Sequence, residues 1–362
     1  MGKMSKNKKQ KQLFKDNKEI DTLLIRNYSG DQEDPTINMF AETNFSTTFD
    51  GFMLITKDDI TAISSPLSLE YSKSLSNNKS INFVPYKSYK DLKEKLNQYS
   101  GKQIGINMDI TPFNTVKEFK KILNKKTIVE SEKYIRELRE NKTDWEITQI
   151  KKAASITKKS IEQVVNSLKI GLSEQEIATL IEVAMKELNG EPAFKTIVAM
   201  GKNSNKPHYF PTTQRIGKNA IILIDAGTKY NGYCSDISRT ISFGKATKDQ
   251  HEKYAEVREA LETTLKTIKK GEIAGNIYKV AQDKLSLPLP HALGHGIGIT
   301  EHDFPEGIGP TSSWTIEKNY CLAIEPAIYK KNWGIRLEDD VAIVKATGIE
   351  RFSRAPKELL EL

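Results

Sequence analysis

The sequence contains few of the residues that define several common classes of protein. Only two cysteines, Cys234 and Cys321, occur among its 362 residues, so we exclude a disulfide framework and a zinc site built from thiolates. No segment approaches the run of about 20 apolar residues that a membrane-spanning helix needs, and no apolar run follows the basic N-terminus as in a secretory signal. We therefore expect a protein of the reducing cytoplasm, with no membrane span.

Positive charge is in excess, but most of the excess is concentrated at one end of the chain. The formal net charge is +8, and residues 1–20 supply +5 of it through seven lysines against Asp16 and Glu19. We interpret residues 1–20 as a basic, flexible tail, because charge runs of this kind are usually solvated. The rest of the chain carries only +3, which argues against a nucleic-acid partner.

Two regions with different patterns follow this tail, and we place the boundary between them near residue 130. In residues 21–130, short apolar runs such as Gly51–Ile55 alternate with helix-like stretches such as Tyr89–Gln98, which predicts a small α/β domain. In residues 131–362, long helix-like stretches alternate with β-rich segments, so we expect a second domain that contains both kinds of element.

Local signals mark the helices of the second region. Thr143 precedes Glu146 by three residues, and Ser173 precedes Glu176 in the same way; both pairs form capping boxes, which predict helix N-termini. Apolar residues then follow at helical spacing, and Thr157 is the one polar residue in the apolar stripe of the first helix.

A buried apolar strand that reaches Asp225 is followed by a tight turn. The dipeptide Asn231-Gly232 between tyrosines predicts a type I′ hairpin, in which Asp236 lies opposite Gly227. Asp225 is two residues from Gly227, so it projects from the same face as Asp236, about 7–8 Å away. Two unpaired buried carboxylates would cost several kcal/mol each. We therefore expect a cation between them.

Histidine is scarce, and three of the five histidines, His291, His295 and His302, fall within twelve positions. Glycines on both sides of His295 allow other groups to approach its ring closely. The spacing matches neither His-Glu-x-x-His nor a zinc-finger pattern. A lone histidine is usually a core or surface residue, but three of them clustered among glycines predict a functional site.

Two further acids interrupt apolar strands. Glu325 precedes Pro326, which predicts a strand edge or a bulge at this point. Glu338 shares a strand face with Arg336, and we interpret Arg336 as orienting Glu338, with a surface ion pair as the alternative. Four carboxylates and one imidazole, without a matching lysine or arginine cluster on their strands, favour two divalent cations. These hard donors favour Mn²⁺, with Co²⁺ or Zn²⁺ as alternatives.

The order Asp225, Asp236, His295, Glu325, Glu338 resembles that of the pita-bread metallopeptidases, which include methionine aminopeptidase, aminopeptidase P and prolidase. The sequence around each residue is similar to the family as well, in the segments Ile224–Gly227, Gly232–Thr240, Gly294–Gly298, Ile324–Pro326 and Arg336–Asp339. The resemblance implies an α+β pita-bread catalytic domain over residues 131–362, preceded by a creatinase/prolidase-like N-terminal domain. It also implies that the five residues hold two metal ions.

Three histidines make the chain similar to the proline-handling branch of this family. His208 looks like its substrate-side histidine, and His291 and His302 match its pair around the scissile carbonyl. The resemblance implies hydrolysis of the Xaa-Pro bond at the N-terminus of dipeptides or short peptides, with prolidase slightly favoured over aminopeptidase P. It further implies that Glu325 moves a proton, that His291 and His302 donate hydrogen bonds, and that the protein is a homodimer.

Two other functions are compatible with the same fold. The chain could be a metal-free peptide- or histone-binding pseudoenzyme, or it could carry out creatinase-like amidine chemistry. Relatives of both kinds lack metal ligands, whereas all five are present here. Ser238, Ala323 and Ala327 replace residues that are more usual in the family, but none of these changes removes a ligand. We therefore favour a hydrolase whose partners are short proline-containing peptides.

Overall fold

A computed structural model of the chain describes residues 8–345 and 348–362. The chain divides into two compact units between Arg139 and Glu140, rather than near residue 130. The charged helix Glu132–Glu140 accounts for the difference, because its apolar side chains Ile135 and Leu138 are buried and extend the first unit. Within the described ranges, no helix has the length and apolar character needed to cross a membrane.

The prediction of a flexible tail over residues 1–20 is wrong from residue 8 onwards, whereas residues 1–7 lie outside the described part. Residues Lys8–Asp16 form a helix that buries Leu13. Lys9 is also buried, and its Nζ donates a hydrogen bond to the carbonyl of Leu138 at 2.7 Å. The abundance of lysine concealed this helix, because a lysine can bury its alkyl chain while its ammonium group finds a polar partner.

The first unit contains a six-stranded mixed sheet in the order β4-β3-β2-β1-β5-β6. The predicted strand at Gly51–Ile55 and the predicted helix at Tyr89–Gln98 are both confirmed, as β2 and α4. In chain order, the elements are α1 (Lys8–Asp16), β1 (Thr22–Asn27), α2 (Ile37–Ala41), β2 (Gly51–Thr56), β3 (Ile60–Ser64), α3 (Pro66–Leu75), β4 (Asn82–Pro85), α4 (Tyr89–Tyr99), β5 (Gln103–Ile106), α5 (Phe113–Ile122), β6 (Thr127–Glu130) and α6 (Glu132–Glu140).

The second unit combines two helix pairs with four small sheets, in the strand orders β19-β12-β9-β8, β13-β14-β17-β18, β11-β10-β7 and β15-β16. In chain order, its elements are α7 (Asp144–Val165), α8 (Glu174–Glu187), β7 (Glu191–Pro192), β8 (Ile197–Met200), a 3₁₀ helix (Gly201–Asn205), β9 (Ala220–Ala226), β10 (Thr228–Tyr230), β11 (Tyr233–Cys234), β12 (Ile237–Phe243), α9 (Lys248–Thr267), α10 (Ala274–Gln282), β13 (Gly294–Gly296), β14 (Cys321–Ile324), β15 (Ala327–Lys330), β16 (Trp333–Arg336), β17 (Asp339–Lys345), β18 (Gly348–Arg351) and β19 (Leu360–Glu361).

Each helix pair covers one of the two four-stranded sheets. Apolar residues of α7 and α8, such as Ile161 and Ile181, form a core with Ile224 of β9. Residues of α9 and α10, such as Leu261, form a second core with Leu322 of β14. The two layers place strands from both sheets around the site described below.

The predicted hairpin register is confirmed. Tyr230 pairs with Tyr233 across the turn, and the same register continues along β9 and β12, where Asp225 pairs with Ser238. Asn231 and Gly232 have φ values of 49° and 82°, as both central residues of a type I′ turn require. Local turn chemistry therefore determines where Asp225 lies relative to its partner strand.

Strand breaks occur at three of the predicted ligands. Asp236 lies between β11 and β12, Glu325 lies between β14 and β15, and Glu338 lies between β16 and β17. The break predicted at Pro326 is therefore present, because proline has no amide hydrogen for the ladder. A residue outside a regular ladder is free of the strict alternation of side chains, so these acids can be aimed at a common point.

The two predicted capping boxes are present, at Thr143 with Glu146 and at Ser173 with Glu176. They begin α7 and α8. In the middle of α7, the buried Thr157 hydroxyl lies 2.8 Å from Thr228 Oγ1 and 2.7 Å from the hydroxyl of Ser235. The polar residue in the apolar stripe therefore joins the helix to the hairpin that carries the predicted ligands.

We predict that Thr157→Val lowers the free energy of unfolding by about 1–3 kcal/mol, because Thr228 and Ser235 would each lose a buried hydrogen-bond partner. Urea denaturation would measure the change. Thr148→Val is the matched control. The Thr148 hydroxyl donates to the carbonyl of Asp144, four residues earlier, as the Thr157 hydroxyl does to Ala153, but Thr148 is exposed. The control should change stability by less than about 0.5 kcal/mol, and equal losses in the two variants would contradict this role.

Candidate active site

The structure brings all five predicted metal ligands together, and His302 with them. Their side-chain oxygen and nitrogen atoms form three overlapping groups, within each of which the atoms lie within 4.8 Å of one another. The groups are Asp225, Asp236 and Glu338; His295, Glu325 and Glu338; and Asp236, His295 and His302. Asp236, His295 and Glu338 each belong to two groups, and the two carboxylates among them have the two oxygens needed to be shared between neighbouring cations.

Unpartnered oxygens test whether this cluster fits metal ions. The Oδ1 atoms of Asp225 and Asp236 are both buried, and neither accepts a hydrogen bond. A buried carboxylate oxygen without a partner is strongly unfavourable unless a cation binds it. The donor set of carboxylates and one imidazole is also one that divalent ions of the first transition series accept. These residues therefore fit the implied pair of metal ions.

The acids of this cluster have pKa values that differ from those of exposed carboxyl groups. Burial, followed by the nearby charges of Glu338 and Asp225, raises the pKa of Asp236 well above its usual value. Burial raises the pKa of Glu325 to about 7, and burial together with the charges of Glu325 and Asp225 raises the pKa of Glu338 well above its usual value. Without a cation the cluster therefore retains protons at neutral pH.

Arg336, which we expected to orient Glu338, contacts Asp225 instead. Its Nη2 donates to Asp225 Oδ2 at 2.5 Å, and its Nε donates to the hydroxyl of Ser238 at 2.9 Å. Ser238 in turn donates to Glu338 Oε2 at 2.8 Å. Arg336 therefore orients Asp225 directly and Glu338 through Ser238, instead of contacting Glu338 itself. One positive charge against four carboxylates still leaves a large negative excess.

His295 has one ring nitrogen directed into the cluster. Its Nδ1 lies 3.1 Å from the carbonyl of Gly296, which assigns the ring hydrogen to Nδ1. Its Nε2 lies 3.7 Å from Asp236 and 4.0 Å from Glu338. Burial and the charge of His302 lower the pKa of His295 to about 4, so the ring is neutral at physiological pH. A neutral imidazole with a free Nε2 is a suitable metal ligand.

His302 is exposed, and its ring stacks on His295 with the ring centroids 4.0 Å apart. It therefore lies at the edge of the cluster, between the metal ligands and solvent. His208 is exposed as well and follows the 3₁₀ helix; it is not part of the three groups. The carbonyl of the preceding Pro207 accepts a hydrogen bond from Arg336 Nη1 at 3.3 Å.

His291 does not have the hydrogen-bonding arrangement that we expected of an oxyanion donor. Its Nδ1 lies 2.7 Å from the carbonyl of Ala292, and its Nε2 lies 3.1 Å from the hydroxyl of Tyr329. Burial lowers the pKa of His291 to about 4, so the ring is neutral and has one hydrogen, which Nδ1 donates to Ala292. Tyr329 then donates to Nε2 and accepts from Arg336 Nη1 at 3.0 Å.

Tyr329 and Asp340 are the residues that sequence reasoning missed. Tyr329 connects His291 to Arg336, as described above, and burial raises its pKa to about 12. Asp340 is fully buried, and its Oδ2 accepts the backbone amide hydrogen of Asp236 at 2.9 Å. The sequence offered a signal for Asp340, because it directly follows two other acids, Glu338 and Asp339, at the start of a strand. It offered none for Tyr329, which resembles an ordinary strand residue.

Comparison with known protein families identifies both parts of the chain. Residues 148–345 match metallopeptidase family M24, and residues 8–141 match the creatinase/prolidase N-terminal domain. The chain belongs to metallopeptidase family M24, with the α+β pita-bread fold, and it is a metal-dependent hydrolase. Membership of this family implies divalent metal ions at the cluster.

Individual relatives cover nearly the whole chain. An Xaa-Pro dipeptidase from Pyrococcus horikoshii is 31% identical over 356 residues, which are 96% of each chain. The structure is similar to that of an Xaa-Pro dipeptidase from Bacillus anthracis, with a TM-score of 0.87, 26% identity and 99% coverage of both chains. It is also similar to an X-Pro aminopeptidase from Thermotoga maritima, with a TM-score of 0.86, 26% identity and coverage of 95% and 98%.

We predict that the metal-free protein loses stability as the pH rises above 6.5, through the raised pKa of Glu325 of about 7. Folding keeps Asp236, Glu325 and Glu338 protonated where the unfolded chain is ionised, so each such group costs up to about 1.4 kcal/mol per pH unit until its raised pKa is passed. The lowered pKa values of His291 and His295, both about 4, act in the opposite direction only below their unfolded value of 6.5.

Calorimetry of EDTA-treated protein across this pH range would measure the melting temperature. Addition of Mn²⁺ should raise the melting temperature more at about pH 8 than at about pH 6, because metal binding must displace protons from the same carboxyl groups. Asp236→Asn should flatten the pH dependence of the metal-free protein. Two results would contradict the role of the clustered acids. One is a melting temperature of the metal-free protein that rises with pH, and the other is a melting temperature that is unchanged by EDTA.

Proposed function

We propose that the chain is a dinuclear-metal exopeptidase that hydrolyses the Xaa-Pro bond at the N-terminus of dipeptides or short peptides. The observation that carries the proposal is the convergence of Asp225, Asp236, His295, Glu325 and Glu338 into overlapping groups that share two carboxylates. The full-length relatives named Xaa-Pro dipeptidase support the choice of bond. A metal-free pseudoenzyme would have no need for so costly a set of buried acids.

The residues divide between two ions. Asp225 and Asp236 would hold one ion, His295 and Glu325 would hold the other, and Asp236 and Glu338 would be shared between the two. When bound, the ions supply Lewis acidity and a water of lowered pKa. We propose Mn²⁺ as the metal, because four carboxylates make a hard site, and Co²⁺ or Zn²⁺ remain alternative occupants.

The other side chains bind and orient the substrate. We propose that His302, which is exposed beside His295, donates a hydrogen bond to the substrate carbonyl as charge develops on its oxygen. Glu325, which lies in the same group as His295 and Glu338, would transfer a proton to the departing amine. His208 closes the substrate side. His291 acts through Tyr329 as a support for Arg336, rather than as a donor.

Dipeptides are the favoured substrates within this proposal. The relative that covers 96% of the chain is named Xaa-Pro dipeptidase, although an X-Pro aminopeptidase is structurally as similar as a dipeptidase. We also propose a cytoplasmic location, because Cys234 and Cys321 are both free and buried. A homodimer stays a prediction, which sedimentation of the purified protein would test.

We predict that an Xaa-Pro dipeptide is cleaved with a kcat/KM at least about tenfold higher than that of the corresponding Xaa-Pro-Yaa tripeptide. A dipeptidase recognises the C-terminal carboxylate, which a tripeptide displaces by one residue; tenfold corresponds to about 1.4 kcal/mol. Release of the free N-terminal amino acid, with Mn²⁺ present, would measure both rates. An Xaa-Ala dipeptide is the control for the proline requirement. Cleavage of the tripeptide alone would reverse the preference.

We predict that Asp236→Asn lowers kcat by about a thousandfold or more. The reason is that the substitution neutralises a ligand proposed to be shared between the two cations. The metal-free variant should melt no lower than the metal-free wild type, because an amide is neutral without having to bind a proton. Asp283→Asn, an exposed change on the same unit, is the control and should retain wild-type activity. Wild-type turnover by Asp236→Asn would exclude its proposed role.

A further inference from the structure

A buried carboxylate outside the metal cluster organises the segment that carries His208. Glu174 is the first residue of α8, and its side chain is completely buried. Its two oxygens accept five hydrogen bonds, and all five donors are neutral groups. The donors are the Met200 amide at 2.8 Å, Asn203 Nδ2 at 3.0 Å, the Tyr209 hydroxyl at 2.8 Å, the Thr212 amide at 3.0 Å and the Thr212 hydroxyl at 2.7 Å.

All five donors belong to one stretch of chain, residues 200–212, which we call the His208 segment. It begins at the last residue of β8 and contains the 3₁₀ helix Gly201–Asn205. Glu174 therefore binds both ends and the middle of the segment. A carboxylate has four lone-pair positions and no hydrogen to donate, so it can receive a crowded set of donors that no neutral side chain of the same size can satisfy.

The opposite side of the His208 segment contacts the β15–β16 hairpin. The Ser204 hydroxyl accepts the Gly334 amide hydrogen at 2.8 Å, and Asn205 Nδ2 donates to the carbonyl of Lys331 at 2.9 Å. A side chain at position 334 would collide with the carbonyl of Ser204, so the approach requires glycine there. The segment is thus held between α8 and the hairpin that carries Arg336.

This arrangement determines where His208 lies. The carbonyl of the residue before it, Pro207, accepts a hydrogen bond from Arg336 Nη1. His208 itself is exposed, and on its C-terminal side the Tyr209 hydroxyl and the Thr212 amide both donate to Glu174. Its position therefore depends on the carboxylate rather than on contacts of its own ring.

We propose that Glu174 is a positioning residue that holds His208 at the substrate side of the metal centre. The inference rests on the proposed function of His208, and it adds to that function a buried anchor that is not part of the three groups of metal ligands. Asp225 pairs with Ile197 near the start of β8, whereas Glu174 binds Met200 at its end. Loss of the Glu174 contacts should therefore displace His208 and leave the metal site intact.

The first test needs no substrate. The chain has only five histidines, so the ring signals of labelled protein can be resolved by NMR, and His208→Ala assigns the signal of His208. Glu174→Gln should shift or broaden the His208 signal and leave that of His251, on α9, unchanged. Glu176→Gln is the matched control, because it removes a capping carboxylate from the same helical turn; it should move neither signal. An unchanged His208 signal in Glu174→Gln would overturn the proposal.

The second test separates positioning from general stability. With an Xaa-Pro dipeptide as substrate, Glu174→Gln should lower kcat/KM by about tenfold or more when His208 is present. In the His208→Ala background the same substitution should lower kcat/KM by less than about twofold. The metal content should be unchanged in both backgrounds. Equal losses in both backgrounds would overturn the proposal. If Glu174→Gln does not fold, Tyr209→Phe, which removes one of the five donors, should give a smaller effect with the same pattern.

The two tests fail in different ways. A wild-type protein that cleaves no Xaa-Pro peptide would refute the proposed function, and the NMR comparison would then decide the role of Glu174 by itself. A wild-type protein that is active while Glu174→Gln retains full kcat/KM would refute the positioning role and leave the proposed function untouched.

Discussion

The electrostatic cost of burying four carboxylates at one point is the constraint on which the second unit depends. Two oxygens of the cluster, one each on Asp225 and Asp236, have no hydrogen-bond partner, and burial raises the pKa values of Asp236, Glu325 and Glu338 when no cation is present. Such an arrangement is unfavourable for folding on its own. Binding of cations converts the same repulsion into affinity, so the stability of this unit and its chemistry have a common origin.

Two features of the surrounding structure bring these acids together and hold them in place. Strand breaks at Asp236, Glu325 and Glu338 release these acids from the alternation of a regular ladder, so that segments far apart in sequence direct them to one place. A network of neutral and charged donors then fixes their orientations. Arg336 reaches Asp225 directly, and through a serine hydroxyl it reaches Glu338, while the Asp236 amide is held by another acid, Asp340.

Sequence reasoning succeeded where the determining interactions are local. The hairpin register, and with it the pairing around Asp225, followed from Asn231 and Gly232 alone, and the capping boxes gave the starts of two helices. It failed where the partner lies far away in sequence. The contact of Arg336 with Asp225 depends on how strands of different sheets approach each other, which residue spacing does not encode. The helix Lys8–Asp16 was missed because its high lysine content was interpreted as a sign of a flexible tail.

The Asn231–Gly232 turn has a consequence for the order in which the protein acquires its structure. Because it connects the chain segments that carry Asp225 and Asp236, half of the acidic cluster is formed by residues close in sequence, whereas Glu325 and Glu338 come from segments about 100 residues further along the chain. Short loops close faster than long ones. A nascent chain can therefore present a cation-binding pair of aspartates before its C-terminal strands have been synthesised.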